Sequence, residues 1–436
     1  MEAQNAETLA KVTRKLVPFL FLLYIVAYLD RVNVSFAQLQ MKEALGFGDA
    51  VYGLGSGIFF LGYFLFEVPS NLILERVGAR RWIARIMLTW GVIAGCMVFI
   101  RSPMSFYVLR FLLGIAEAGF FPGMILYLTY WFTAADRARI VALFMTATVV
   151  SNVLGGPLSG KLLDLNGLGG LGGWQWLFLI EAAPAVLLAF VVLSYLPDGP
   201  AKARWLDPRE RDWIVERLAA EQRDKAGHAH HSLGEAVRNP LVWHLAALYF
   251  TIAFTGYGIG MWLPQILKNS FKLSNGATGG YVALPYAVAA IAMVLNGRHS
   301  DRTGERRLHV AVSALVASFG LAMSALFLAG GGHGAPLALI LLTFAMAASG
   351  QSGTLGPFWT IPPAFLGGAA AAGGIALINS VGNLGGFLGP YLMGRYKTGN
   401  NYTAGLLILA VFQFAGVILA LLLRPARFEG RSKGVG

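Results

Sequence analysis

Twelve stretches of about 20 mostly apolar residues, bounded by charges or by Pro and Gly breaks, run through this chain of 436 residues. About 20 such residues are what a helix needs to cross the hydrocarbon core of a bilayer. In the first half they lie near Val17–Gln38, Val51–Leu74, Trp82–Ile100, Met104–Phe132, Ile140–Leu163 and Trp174–Leu196. The second half offers Leu241–Leu267, Ala277–Gly297, Leu308–Ala329, Leu337–Phe358, Leu366–Met393 and Thr403–Leu423. A membrane β-barrel would show alternating segments of ~10 residues, and these runs do not alternate. Charged residues make up 13% of the chain, about half of what a water-soluble surface requires. A soluble enzyme and a disordered chain are both excluded. The predicted fold class is all-α: a polytopic membrane protein with twelve transmembrane helices in two six-helix halves.

The charge balance is +12, and its distribution sets an orientation. With both termini cytoplasmic, 25 of the 34 Lys and Arg residues fall in cytoplasmic segments and 7 in outer loops, while Arg31 and Arg110 lie inside spans. The positive-inside rule favours that arrangement. The positive charge thus speaks to the lipid bilayer, and no basic folded face suggests a nucleic acid. Cys96, the single cysteine, sits inside the third run, which leaves no disulfide and no cysteine-based metal site. The polar start, Met1–Lys15, does not read as a cleavable signal.

The longest polar stretch, Pro197–Pro240, separates the sixth and seventh runs. It divides the chain into residues 1–196, a cytoplasmic linker 197–240 and residues 241–436. An amphipathic helix is expected near Pro208–Lys225, and the His228/His230/His231 cluster beyond it reads as exposed linker, with metal binding the lesser reading. Each half repeats one loop between its second and third spans. Glu75, Arg76, Gly78, Arg80 and Arg81 recur as Asp301, Arg302, Gly304, Arg306 and Arg307, 226 residues further on. Tandem six-span halves are the architecture of alternating-access transporters.

Ionisable groups inside a membrane are costly and mark function. Here the clear cases are Asp30, Arg31, Glu67, Arg110, Glu117 and Glu181, all in the first half. Tyr24, Tyr28, Arg31, Ser35 and Gln38 follow intervals of 4, 3, 4 and 3, one polar stripe on an apolar helix. Tyr107, Arg110, Gly114 and Glu117 form a second stripe. Both are expected to face a water-filled interior. Arg31 and Arg110 offer guanidinium forks suited to carboxylates, with structural pairing to Asp30 and Glu117 as the competing reading. Asp30 and Glu117 can change charge, so a site that exchanges an arginine partner for a substrate anion could take up and release a proton. Glu67, two residues before Pro69, is expected to pair with arginines of the repeated loop. Glu181 divides evenly between packing and function. The neutral second half supplies Tyr257, Trp262, Gln351, Trp359, Asn379 and Asn383 as lining candidates, with Tyr63 from the first half.

The repeated loop resembles the signature loop of the major facilitator superfamily. Within it the chain is similar to the anion:cation symporter family, carriers of tartrate, phthalate, galactonate and related anions. The resemblance rests on Tyr28-Leu-Asp30-Arg31-Val-Asn33, Phe66-Glu67-Val-Pro69-Ser70-Asn71 and Arg110-Phe-Leu-Leu-Gly114-Ile-Ala-Glu117-Ala-Gly119. Trp176-Leu-Phe-Leu-Ile-Glu181 and Ala376-Leu-Ile-Asn379-Ser-Val-Gly382-Asn383-Leu-Gly-Gly386 extend it over nearly the whole chain. Asn71 and Ala79 depart from the Gly and Arg usual in the signature loop. The resemblance implies that Asp30 and Glu117 carry protons and that Tyr28, Tyr63, Trp359 and Asn379 contact substrate. It also implies gating or structural roles for Glu75, Arg76, Gly78, Arg80, Asp301, Arg302, Gly304 and Arg306.

The combined reading is a proton-coupled importer of a small organic anion held by Arg31 and Arg110. Two arginines favour a hydroxy-dicarboxylate such as tartrate, ahead of sugar acids and aromatic acids. Drug/proton efflux is the main competitor. Its fifth-span glycine run is broken here by Thr148 and Lys161, and two arginines would repel a cationic drug. An integral-membrane enzyme finds no nucleophile–base pair or metal cluster, and no cofactor is expected. Gly167-Leu-Gly169-Gly-Leu-Gly172 matches a dinucleotide pattern but follows no strand. Gly156/Gly160, Gly382/Gly386 and Gly385/Gly389 read as close helix contacts. The short first outer loop, Leu39–Ala50, favours a bacterial inner membrane, and a monomer is expected.

Overall fold

The structure, a computed structural model, describes residues 2–226, 237–329, 335–365 and 368–423. The His228/His230/His231 cluster lies outside the described residues, as does the Glu75 side chain. Lipid offers no hydrogen bonds, so a spanning backbone must satisfy its own, and helices do that within one segment. In chain order the helices are α1 (Glu2–Val32), α2 (Val34–Leu45), α3 (Asp49–Val77), α4 (Ala79–Cys96), α5 (Pro103–Glu117), α6 (Phe120–Thr129), α7 (Ala134–Leu162) and α8 (Gly173–Tyr195). After α9 (Pro208–Ala226) follow α10 (Pro240–Phe271), α11 (Asn275–Thr303), α12 (Arg307–Leu328), α13 (Leu337–Phe365), α14 (Gly368–Tyr396) and α15 (Thr403–Leu422). No strand occurs among the described residues apart from an isolated bridge between Thr398 and Asn401.

Ten spans among the described residues are long and apolar enough to cross a membrane, with α1–α2 and α5–α6 each making one of them. The fifth and eleventh expected runs, α7 and α14, are not among those ten, although each folds as a helix of 29 residues. The fourth expected run is interrupted immediately after Glu117. There Ala118 turns extended and Gly119 adopts φ +83°. A Cβ at Gly119 would lie 2.3 Å from Ser70 Oγ, so only glycine permits this approach of the break to α3.

Two helix pairs join the halves, α3 with α14 and α7 with α11, and α2 packs on α10. The contacts are backbone-close. A Cβ on Gly279 would lie 2.2 Å from Gly156 O, one on Gly160 2.6 Å from Asn275 O, and one on Gly53 2.8 Å from Pro390 O. Gly385 and Gly389 likewise meet Phe250 O and Phe254 O inside the second half. Polar bonds reinforce the seam. Asp49 accepts from Lys397 (2.8 Å) and Gln265 (3.3 Å) and pairs with Lys42, while Gln38 and Tyr52 both donate to Met261 O. This seam closes the face opposite α9. Overpacking a tight contact costs about 1–3 kcal/mol. Gly279→Val should therefore cut the closed population, and transport by reconstituted protein, roughly tenfold. Unchanged transport by a variant that elutes like the parent would show the contact to be idle.

On the other face α9 docks against the first half. Lys11 pairs with Glu210 (2.7 Å) and Arg217 with Asp136 (2.9 Å), and Trp205, just before α9, stacks on Trp131 at 5.7 Å. The repeated loops each place a positive-φ glycine at the helix end but turn differently, with ψ 142° at Gly78 and −5° at Gly304. Gly78 ends α3 with φ +94° and Gly304 ends α11 with φ +70°. Their arginines differ. Arg80 reaches out to Asp198 (3.3 Å), just beyond α8, whereas Arg306 pairs within its own loop with Asp301 (2.6 Å). Arg76 and Arg302 are exposed.

Candidate functional site

Between the halves lies a cavity lined by residues of both. Tyr24 and Tyr28 of α1, Tyr63 of α3, Tyr249 and Tyr257 of α10 and Tyr286 of α11 give it an aromatic wall. Asn152, Gln351, Asn379 and Asn383 add amides, and Trp359 adds an indole. Arg31 is the one Asp, Glu, Lys or Arg side chain among the described lining residues.

The α1 stripe explains how Arg31 arrives there. Tyr24, Tyr28 and Arg31 share the cavity face, while Gln38, further along the same stripe, serves the closed seam. Arg31 is held on every side. Nε donates to Glu117 Oε1 at 3.0 Å, Nη2 bonds the same oxygen, and Nη1 donates to Tyr257 OH at 2.8 Å across the half interface. The rings of Phe59 and Tyr63 lie 5.5 and 5.3 Å from the guanidinium carbon, within cation–π range. Burying both charges costs several kcal/mol per ion before their attraction repays it. A second carboxylate entering the cavity can take over that attraction.

Arg110 is placed elsewhere. It is fully buried behind Phe59, whose ring lies 4.9 Å from its guanidinium carbon. Nε and Nη2 donate to the carbonyls of Gly55 and Ser56 at 3.2 Å each. The expectation that the α5 stripe faces a water-filled interior is corrected: neither Arg110 nor Glu117 lines the cavity. The cause is steric. A Cβ on Gly114 would lie 1.9 Å from Phe59 O, so glycine lets α5 press its polar stripe against the α3 backbone.

Asp30 also points away from the cavity, accepting from Trp90 Nε1 (2.7 Å) and Asn33 Nδ2 (3.4 Å). It forms no ion pair with Arg31. Glu181 accepts from Ser159 Oγ (2.6 Å). The expected pairing of Glu67 with the repeated-loop arginines is not found. Glu67 instead accepts from Asn379 Nδ2 (2.5 Å) and from Ser380 Oγ, both on α14 of the other half. Tyr28, Tyr63, Trp359 and Asn379 all line the cavity, as do Tyr257, Gln351 and Asn383; Trp262 does not, donating to Pro390 O (3.1 Å) in the closed seam. Sequence reasoning missed Asn152, Tyr249 and Tyr286. For Tyr249 a signal existed, since Tyr249, Ala253, Gly256 and Tyr257 recur at helical spacing and all line the cavity.

Two six-span bundles around a central polar cavity, joined by close contacts between the halves, define a membrane transporter. The model of the Major Facilitator Superfamily matches residues 20–390, and the chain belongs to that family. It is 52% identical over 420 residues to the "Putative tartrate transporter" of Agrobacterium vitis, covering 96% of this chain and 92% of that one. It is 42% identical to the "Quinolone resistance transporter" of Acinetobacter baumannii, over 95% and 94% of the two chains. The solved D-xylose-proton symporter shares the fold with a TM-score of 0.74 at 14% identity, over 95% of this chain and 98% of that one.

Proposed function

We propose that this transporter imports a small hydroxylated organic anion, tartrate or a similar hydroxy-dicarboxylate, together with protons. The observation that carries the reading is Arg31, set in a tyrosine- and amide-lined cavity and held by a carboxylate that an incoming anion can replace. Tyrosine hydroxyls and the amides of Asn379, Asn383 and Gln351 suit the hydroxyl groups of such an acid. The 52% identity to a protein named for tartrate points the same way. Tyr28, Tyr63, Trp359 and Asn379 complete the substrate contacts. Arg110 supports them indirectly by pinning the α3 backbone beneath Phe59.

Glu117 takes up a proton when the substrate claims Arg31, and Asp30, one residue along α1, is the second proton site. Residues 1–196 and 241–436 rock about the cavity, with 197–240 as a cytoplasmic tether and the repeated loops as gates. The excess of Lys and Arg on the α9 face supports a reading in which that face and both termini lie in the cytoplasm, with the protein in a bacterial inner membrane. One copy contains the whole site, so a monomer suffices.

A second reading, proton-driven export, is favoured by the 42% identity to the quinolone resistance protein. A quinolone also bears a carboxylate, so charge alone does not separate the two, whereas direction does. Proteoliposomes given an inward proton gradient should accumulate labelled L-tartrate, and a protonophore should abolish the accumulation. A gradient that drives a quinolone but not tartrate, in the direction opposite to proton flow, would sink the import reading.

A further inference from the structure

Asn379 serves two surfaces at once. It lines the cavity beside Asn383, and its side-chain amide donates to Glu67 on the other half. The Ser380 hydroxyl donates to the second Glu67 oxygen. Glu67 follows Tyr63 by one turn along α3, and Asn379 precedes Asn383 by one turn along α14, so the contact lies on the α9 side of the cavity. The glycine-tight α3–α14 contacts through Gly53, Gly57 and Gly394 lie on the opposite side.

Glu67 is fully buried, and no Lys or Arg among the described residues ion-pairs with it. Its carboxylate therefore depends on two neutral donors, both from the half that must move away in an alternating-access cycle. A buried carboxylate deprived of its donors is strongly penalised. That makes the contact firm while it is formed. Packing alone would be served by an apolar pair, which would hold the seam without a donor that the cavity can reach.

We propose that Glu67, Asn379 and Ser380 form a latch that holds the halves together on the α9 side of the empty cavity, and that a bound anion opens it by drawing the Asn379 amide to itself. The substrate and Glu67 compete for one donor and, being like-charged, also repel each other. Release toward the α9 face thus follows occupancy. The second part of the proposal rests on the anion-import reading; the first does not.

The test measures the separation of the halves with spin labels at Val77→Cys and Leu308→Cys, both exposed on the α9 face, in a Cys96→Ser background. The full-length protein is reconstituted in lipid, with L-tartrate as the probe. In Glu67→Gln, one carboxylate oxygen is replaced by a donor. The ratio of long to short distances without tartrate should rise about tenfold, as expected for the loss of one charge-assisted hydrogen bond. Ser380→Ala, which spares Glu67 and Asn379, should shift the same ratio by a smaller factor. Tartrate should lengthen the distances in the parent and add little in Glu67→Gln. Unchanged distances in both tartrate-free variants would overturn the latch, and if Glu67→Gln fails to elute as a single species, Ser380→Ala decides. Variants that open while tartrate, shown to bind by calorimetry, leaves the parent closed would refute the trigger and keep the latch. No tartrate binding at all would count against the import reading, leaving the tartrate-free comparison to judge the latch.

Discussion

Arg31→Lys should weaken binding of the transported anion roughly a hundredfold, the scale of about 3 kcal/mol seen when a buried, hydrogen-bonded charge pair loses its fit. Lysine keeps the charge and loses the fork. The guanidinium presents Nε and Nη2 to Glu117, Nη1 to Tyr257, and a flat face to Phe59 and Tyr63. An ammonium on a flexible stem cannot meet those directions together. An incoming carboxylate inherits the same geometry when it displaces Glu117, so the loss falls on binding. Calorimetry on the purified variant reads it directly. Arg110→Lys is the control. Its guanidinium bonds the Gly55 and Ser56 carbonyls outside the cavity, so that variant should lower Tm while affinity changes much less. Equal loss of affinity in the two variants would mean that Arg110 swings into the cavity during the cycle.

Glu117→Gln should abolish gradient-driven uptake, by about a hundredfold or more if the proton route runs through this carboxyl, while sparing exchange of internal for external substrate. Glutamine copies the shape of the protonated side chain. The loaded carrier can shuttle in that form, but the empty carrier has no proton to release inside, so net movement stops. Binding should persist and lose its pH dependence. In the parent, the anion must displace Glu117 from Arg31, and a proton on Glu117 makes that displacement easier. Affinity should therefore rise as pH falls, and the variant should hold the tighter value throughout. Proteoliposomes assayed with and without preloaded cold substrate separate the two activities. Retained accumulation would reduce Glu117 to a structural partner of Arg31. Loss of exchange and binding together would identify it as part of the binding site itself.

The spans and the repeated loop were legible because each depends on local chemistry. Apolar length answers to bilayer thickness. Gly78 and Gly304 were marked by their position in a repeated motif, and both adopt the left-handed side of backbone space at a helix end. The stripe on α1 was legible through Arg31, since polar residues at intervals of 3 and 4 share one helix face. Periodicity fixes residues relative to their own helix and says nothing of how that helix is rotated against its neighbours. Arg31 and Arg110 therefore looked alike in sequence. They were separated by Gly114, which lets α5 approach Phe59 so closely that the second stripe is buried against the α3 backbone. The break after Glu117 was likewise set by the approach of Gly119 to Ser70.

Glu67 shows where sequence reasoning ends. Its neighbours in the chain are the signature-loop arginines, yet its hydrogen-bond partner Asn379 lies 312 positions away. Burial leaves a carboxylate no water, so it takes whichever donors the packing of the halves delivers. Composition and spacing by themselves determined that this chain crosses a membrane many times, in two related halves, with its ionisable span residues gathered in the first. Which of those charges meets the cavity, which holds up the helix behind it, and which joins the two halves was decided by close packing, because glycine contacts between distant segments set the depth and rotation of each helix.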